Sequence, residues 1–278
     1  MAMLSFSDKY FVCQSAPWAH ALAAPHRDDR TMLYDQLFVS MERARWDLSR
    51  DIDFDAIEAA RLTPRWIDTV REVCAFQLAS LRASEMFLGG FRTDIDFCSF
   101  VSVWFYEEME HHLVLRKYLE HLGETVEETE LPRLRVSPDE APAVDALTLR
   151  FFGEQRLAQR YAALAATVPE RVLGRIFTIL AAGEARHAAA YATYLRRAVE
   201  RQPAALPGIL RLALWTMRGA DDPAAAGAAD TRRAPASLRE DRHYIHRMQG
   251  LCRLLAPDAM IVVEEALPAL RTAAAGAL

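Results

Sequence analysis

The chain has 278 residues, 52% hydrophobic and 26% charged, a balance that supports a large core and excludes disorder over most of its length. Lysines and arginines number 33 against 38 acidic residues, and the net charge of −5 argues against nucleic acid as the main partner. No apolar run approaches the roughly 20 residues that span a bilayer, so no membrane helix is expected.

The four cysteines (Cys13, Cys74, Cys98 and Cys252) are scattered and form no CxxC pair. Together with an N-terminus that lacks a basic and apolar leader, they predict reduced thiols in a cytoplasmic protein. Glycine is scarce, with 11 residues, while alanine and leucine are abundant, which predicts an all-α chain.

The elements follow in chain order. An N-terminal arm over 1–62 carries a helix near 29–46. Thr63-Pro64 offers an N-cap and a first-turn proline for a helix from about Pro64 to Leu88, ended by Gly89-Gly90. A second helix runs from Phe97 to about Leu122, with a cap expected at Asp96 and Gly123 closing it. After an acidic, proline-bearing connection, Ser137-x-x-Glu140 and Thr167-x-x-Glu170 have the capping-box pattern. They introduce a third helix over about 138–166 and a fourth over about 169–201. Residues 202–278 add helices near 205–218, 237–254 and 258–273, with a linker at Ala220–Ala236. One domain is expected, a four-helix bundle over 63–201 with additional N- and C-terminal helices.

Two segments carry chemistry, Glu108-x-x-His111 on the second helix and Glu184-x-x-His187 on the fourth. Residues three apart lie about 60° apart and one turn along a helix, so each carboxylate and imidazole point the same way. Both pairs interrupt apolar stripes: Phe97, Val101, Trp104, then Leu115 and Tyr118 on one helix; Leu173, Phe177, Leu180, then Tyr191 and Leu195 on the other. Unpaired charges there would cost several kcal/mol, and bound cations would neutralise them.

The other helices should supply matching carboxylates. Glu154 on the third helix lies on the stripe Leu147, Phe151, Ala158, Tyr161 and is level with Glu184 to within about 4–5 Å. On the first helix the candidates are Glu72 and Glu85. Glu72 shares a face with Ala75, Phe76, Ala79, Ala83 and Met86 and is level with Glu108 to within about 7–8 Å, whereas Glu85 is about 12 Å off. Glu72 is therefore the expected first ligand. One Glu from each of two helices and one Glu-x-x-His from each of the others is the ligand set of di-iron and di-manganese carboxylate bundles. The order repeats, Glu72 then Glu108/His111, and Glu154 then Glu184/His187. The expected apolar lining is Phe76, Trp104, Phe151, Phe177 and Leu180, and Glu107 is a candidate support. His243 and His246 lack a carboxylate-rich partner segment, and packing or a hydrogen bond is the expected role of Tyr161 and Tyr191.

Trp104…Glu107-Glu108-x-x-His111…Lys117-Tyr118-Leu119 resembles the first metal-ligand helix of acyl-carrier-protein desaturases, and Glu184-Ala-Arg-His187 the second. The ferritin-like superfamily of di-iron carboxylate oxidases and oxygenases, including arylamine N-oxygenases and ribonucleotide reductase small subunits, shares this order of ligands. The resemblance covers roughly residues 64–200. It implies a ferritin-like bundle holding two iron ions (or a manganese–iron pair), with O2 as co-substrate and electrons from a ferredoxin or flavoprotein. The implied substrate is a small or carrier-protein-bound organic molecule, undergoing desaturation, hydroxylation or N-oxygenation. Long apolar helices are compatible with a homodimer. Three positions depart from the branches of this group: Leu157 replaces a threonine and Gly183 an aspartate usual in desaturases, and Leu180 replaces the extra histidine of N-oxygenases. Iron storage without an organic substrate and tRNA-modifying di-iron hydroxylation are the alternative readings.

Overall fold

The computed structural model describes residues 32–125, 143–221, 248–256 and 268, and these form helices joined by turns and short coil. Helix α1 (Leu33–Arg43) and the single turn α2 (Leu48–Asp51) belong to the N-terminal arm. The expected first bundle helix is two helices, α3 (Pro64–Gln77) and α4 (Ala79–Gly90), with Leu78 between them. The bundle is completed by α5 (Ile95–His121), α6 (Ala143–Thr167) and α7 (Arg171–Arg201). Beyond it lie α8 (Leu206–Asp221) and a short α9 over 248–255. Ser137-x-x-Glu140, His243 and His246 lie outside the described residues, as do nearly all of the expected 220–236 linker and 258–273 helix.

Local chemistry sets these boundaries. Ser80 Oγ donates to the Gln77 carbonyl at 2.6 Å, and the Leu81 N–H turns instead to the Leu78 carbonyl at 3.2 Å. A serine hydroxyl thus takes the acceptor that would have continued the α-helical ladder, and the helix breaks. Gly123, at φ 77°, adopts the left-handed conformation that ends α5, with Glu124 N–H returning to the Leu119 carbonyl. The α7 N-cap is Glu170 rather than Thr167. Thr167 is the last residue of α6, its hydroxyl bonded back to the Ala163 carbonyl, while Glu170 accepts the N–H groups of Val172 and Leu173 and the Tyr118 hydroxyl. Similarly, Asp94 caps α5, and Asp96 inside its first turn accepts the N–H groups of Leu33 and Tyr34.

The α6–α7 hairpin is the most extensive helix contact. Both α3 and α4 pack along α5, while α5 meets α7 and α4 meets α6 to close the bundle. α1 rests on α5 and α7, and α8 rests on α6. The apolar core divides into two clusters, one around Phe97, Phe100, Trp104, Phe151 and Tyr191, the other around Val70, Leu115, Tyr161, Phe177 and Leu180. Each fully buried large side chain contributes about 1.5–3 kcal/mol. On α5, α6 and α7 the residues between the two clusters are Glu108, Glu154 and Glu184. Among the described residues, no helix is long and apolar enough to cross a membrane.

Candidate metal centre

Five of the six expected ligands converge. Glu108 and His111 on α5, Glu154 on α6, and Glu184 and His187 on α7 are all essentially without exposure. Glu108, Glu154, Glu184 and His187 each offer a ligand atom, and these atoms lie within 4.8 Å of one another. His187 Nδ1 stands 3.0 Å from Glu108 Oε1 and 3.4 Å from Glu184 Oε2, and His111 Nδ1 stands 3.3 Å from Glu184 Oε1. The stripes on α5 and α7 place them there, because Trp104 and Leu115, and Leu180 and Tyr191, bury the turns on either side.

The sixth does not join them. Glu72 is 67% exposed and paired with Arg160 at 2.9 Å, and Glu85 is also exposed. The buried stripe of α3 is Val70, Val73, Cys74 and Gln77, so Glu72, Ala75 and Phe76, at 43% exposure, turn to solvent, while Ala79 and Ala83 of the expected face are buried beyond the break, on α4. The branched aliphatic residues at i and i+3 select this face over the alanine-rich one. It brings Gln77 inward, its amide donating to the Tyr161 hydroxyl at 2.9 Å and to Glu184 Oε1 at 3.3 Å. Of the expected lining, Trp104, Phe151, Phe177 and Leu180 are buried.

Three residues complete the surroundings. Glu107 Oε2 accepts from His187 Nε2 at 2.8 Å, which leaves Nδ1 facing Glu108 and Glu184 as a metal-ligating imidazole requires. Gly183 lies against His111, and a Cβ there would stand 2.6 Å from Nε2, so the ring's placement depends on the glycine. Arg150, only 14% exposed, reaches Glu154 Oε1 at 2.5 Å and Glu108 Oε1 at 3.5 Å, its guanidinium 4.6 Å over the Trp104 ring. Trp104 Nε1 donates to the same Glu154 oxygen at 3.0 Å. Arg150 lies on the Leu147–Phe151–Glu154 stripe at helical spacing, a signal available in the sequence, and Glu107 directly precedes a ligand candidate.

The electrostatics of the cluster are strained. Burial pushes Glu154 well above the usual carboxylate range, helped by Glu108 and Glu184 and opposed by Arg150. Burial acts the same way on Glu184, but His111 and His187 outweigh it and hold its pKa well below the usual range. His187 is raised well above the ordinary imidazole value, because Glu107, Glu108 and Glu184 overcome its burial. Six buried atoms here still lack a hydrogen-bond partner: Glu108 Oε1 and Oε2, Glu154 Oε2, Glu184 Oε2, and Nδ1 of His111 and His187. Each unsatisfied buried group costs about 1–3 kcal/mol or more, and a cation at their focus satisfies them together. Carboxylates with imidazoles suit iron or manganese, so the donor set fits such an ion.

These helices, with their polar cluster at mid-height, form a ferritin-like fold. The chain is similar to the crystal structure of an R2-like ligand-binding oxidase from Sulfolobus acidocaldarius, with a TM-score of 0.58 and 16% identity, over 83% of this chain and 93% of that one. At that identity the likeness establishes the fold. No protein-family profile and no curated protein matches the chain.

Proposed function

We propose that the chain is a ferritin-like, metal-dependent oxidase that uses O2 to oxidise an organic substrate beside the Glu108–Glu154–Glu184 cluster. The observation that carries this reading is the convergence of Glu108, Glu154, Glu184 and His187 within the buried bundle interior, with donor atoms there that make no hydrogen bond. Glu108, His111, Glu154, Glu184 and His187 would hold the metal. When bound, iron or manganese supplies the one-electron redox steps that O2 chemistry needs. Glu107 keeps the Nε2 proton of His187 and so orients its free nitrogen toward the cluster. Arg150 and Trp104 fix one oxygen of Glu154 and leave the other to a ligand. Phe177 and Leu180, wholly buried, exclude water from that side of the cluster.

A two-electron oxidation of substrate that reduces O2 to two waters requires two further electrons, supplied by an external donor such as a ferredoxin or flavoprotein. The test is elemental analysis and oxygen uptake of protein prepared with iron and manganese, given a chemical reductant. Retained metal and reductant-dependent O2 consumption, both lost in Glu184→Ala, are expected. At a metal concentration 100 times Kd, loading should also stabilise the fold by about 2.7 kcal/mol. Protein that retains no iron or manganese would refute the reading.

A further inference from the structure

Arg150, 14% exposed, brings a positive charge against Glu108 and Glu154 that the proposed oxidase chemistry uses only to fix one oxygen of Glu154. In a bundle with four ligand carboxylates, two divalent ions balance the charge. Among the described residues the cluster has three, Glu108, Glu154 and Glu184, and a guanidinium sits against two of them. The carboxylates of the first helix are elsewhere, Glu72 with Arg160 and Glu85 exposed, and the polar side chains that α3 and α4 bury are Gln77, Ser80 and Ser84. Gln77 turns its amide N–H toward Glu184, a donor where a further ligand would have to be an acceptor.

Three carboxylates against one guanidinium leave two negative charges, which one divalent cation neutralises. Glu107 does not alter the balance, because Arg186 offsets it at 3.7 Å. A second divalent ion would leave a net positive charge in a site walled by Trp104, Phe177 and Leu180, where a buried charge goes uncompensated. The geometry agrees, since Glu108, Glu154, Glu184 and His187 each offer one ligand atom and these lie within 4.8 Å of one another, a single focus.

We propose that this centre holds one divalent transition-metal ion per chain, within reach of Glu108, Glu154, Glu184 and His187, and that the Arg150 guanidinium takes the electrostatic place of a second. The proposal rests on the oxidase reading but concerns only the number of ions. The full chain, stripped of metal, is loaded anaerobically with excess Mn(II), desalted, and measured by elemental analysis and electron paramagnetic resonance. One ion per chain with the spectrum of an isolated Mn(II) is the expected result. Two ions with a spin-coupled spectrum would overturn the proposal and leave the oxidase reading standing, whereas no retained ion would remove that reading as well. The double variant Gln77→Glu/Arg150→Met restores the missing carboxylate and removes the competing cation, and it should rise to two ions. A folded double variant that keeps one ion would overturn the role given to Arg150, and the wild-type stoichiometry decides the number of ions even where the variant fails to fold.

Discussion

The two halves of the bundle solve one problem differently. In the α6–α7 half, Glu154, Glu184 and His187 all face inward from uninterrupted helices, each wholly buried. The α3–α4–α5 half has the same Glu-x-x-His pair on α5, but its first helix is broken at Leu78 and offers an amide where its counterpart offers a carboxylate. The supporting residues are unequal too. Glu107 and Gly183 occupy equivalent positions, each just before the glutamate of a Glu-x-x-His pair, yet one anchors the opposite histidine and the other yields space to it. A pattern that repeats in the sequence need not repeat in charge.

The largest effect expected from this asymmetry is at Arg150, the cation of the intact half. Replacing it with methionine strips Glu154 of its cation and leaves Glu108 with His187 alone, and breaking a buried pair in this way costs about 3–5 kcal/mol. Urea unfolding of the metal-free protein measures it. A loss below 1 kcal/mol would mean that the guanidinium is not coupled to the cluster.

Next come the two equivalent positions. Glu107→Ala removes the charge-assisted hydrogen bond to His187, worth about 1.5–3 kcal/mol, and should weaken metal binding by about 10–100-fold. Gly183→Ala drives a methyl group against His111 and should cost about 1–3 kcal/mol through overpacking. Exchanged effects, with Gly183→Ala altering metal affinity more than Glu107→Ala, would reverse the assignment of which half is supported by charge and which by space.

Much of this asymmetry could not be read from the residues alone. The stripes on α5, α6 and α7 were legible because apolar residues at helical spacing bracket each ligand, and burial of those residues dictates where the ligands point. The first helix was not. Its alanine-rich face and its Val70–Val73–Cys74–Gln77 face are both plausible seams, and Ser80 shifts the helical phase by capturing the Gln77 carbonyl. A face extended across 64–88 therefore loses its meaning at the break. Gln77 and Arg150 carry no carboxylate and so no metal-ligand signal, although both lie on stripes with buried neighbours. The α7 cap shifts from Thr167 to Glu170 for a related reason: the Thr167 hydroxyl bonds a local carbonyl, and Glu170 satisfies two N–H groups and Tyr118 together.

The end of the bundle away from α2 supplies a comparison remote from the candidate centre. Burial raises the Asp96 pKa, but the N–H groups of Tyr34 and Leu33 and the charge of Arg197 outweigh it and bring it below the usual value. A carboxyl depressed in the folded state stabilises above its unfolded pKa and loses that contribution as pH falls through the folded one. Docking of α1 should therefore weaken below about pH 4, by on the order of 1 kcal/mol, and faster hydrogen exchange in 33–43 would report it. Asp96→Asn should remove the pH dependence, and unchanged exchange at pH 3 would dissociate Asp96 from that docking.

The smallest effect is the one most informative about the repeat. If Glu72 were the counterpart of Glu154, Glu72→Ala would remove a ligand, lower the metal content and relieve a buried carboxylate. In the structure it is an exposed partner of Arg160, and a surface pair of this kind contributes about 0–1 kcal/mol. Metal content should stay at the wild-type value, with stability changed by no more than that pair. The same substitution at Glu154 should abolish metal retention. Equal losses of metal from both variants would restore the symmetric four-carboxylate centre, and with it a second ion, because the first helix would then have to rotate by about 140° between Glu72 and Gln77 to bring its carboxylate inward.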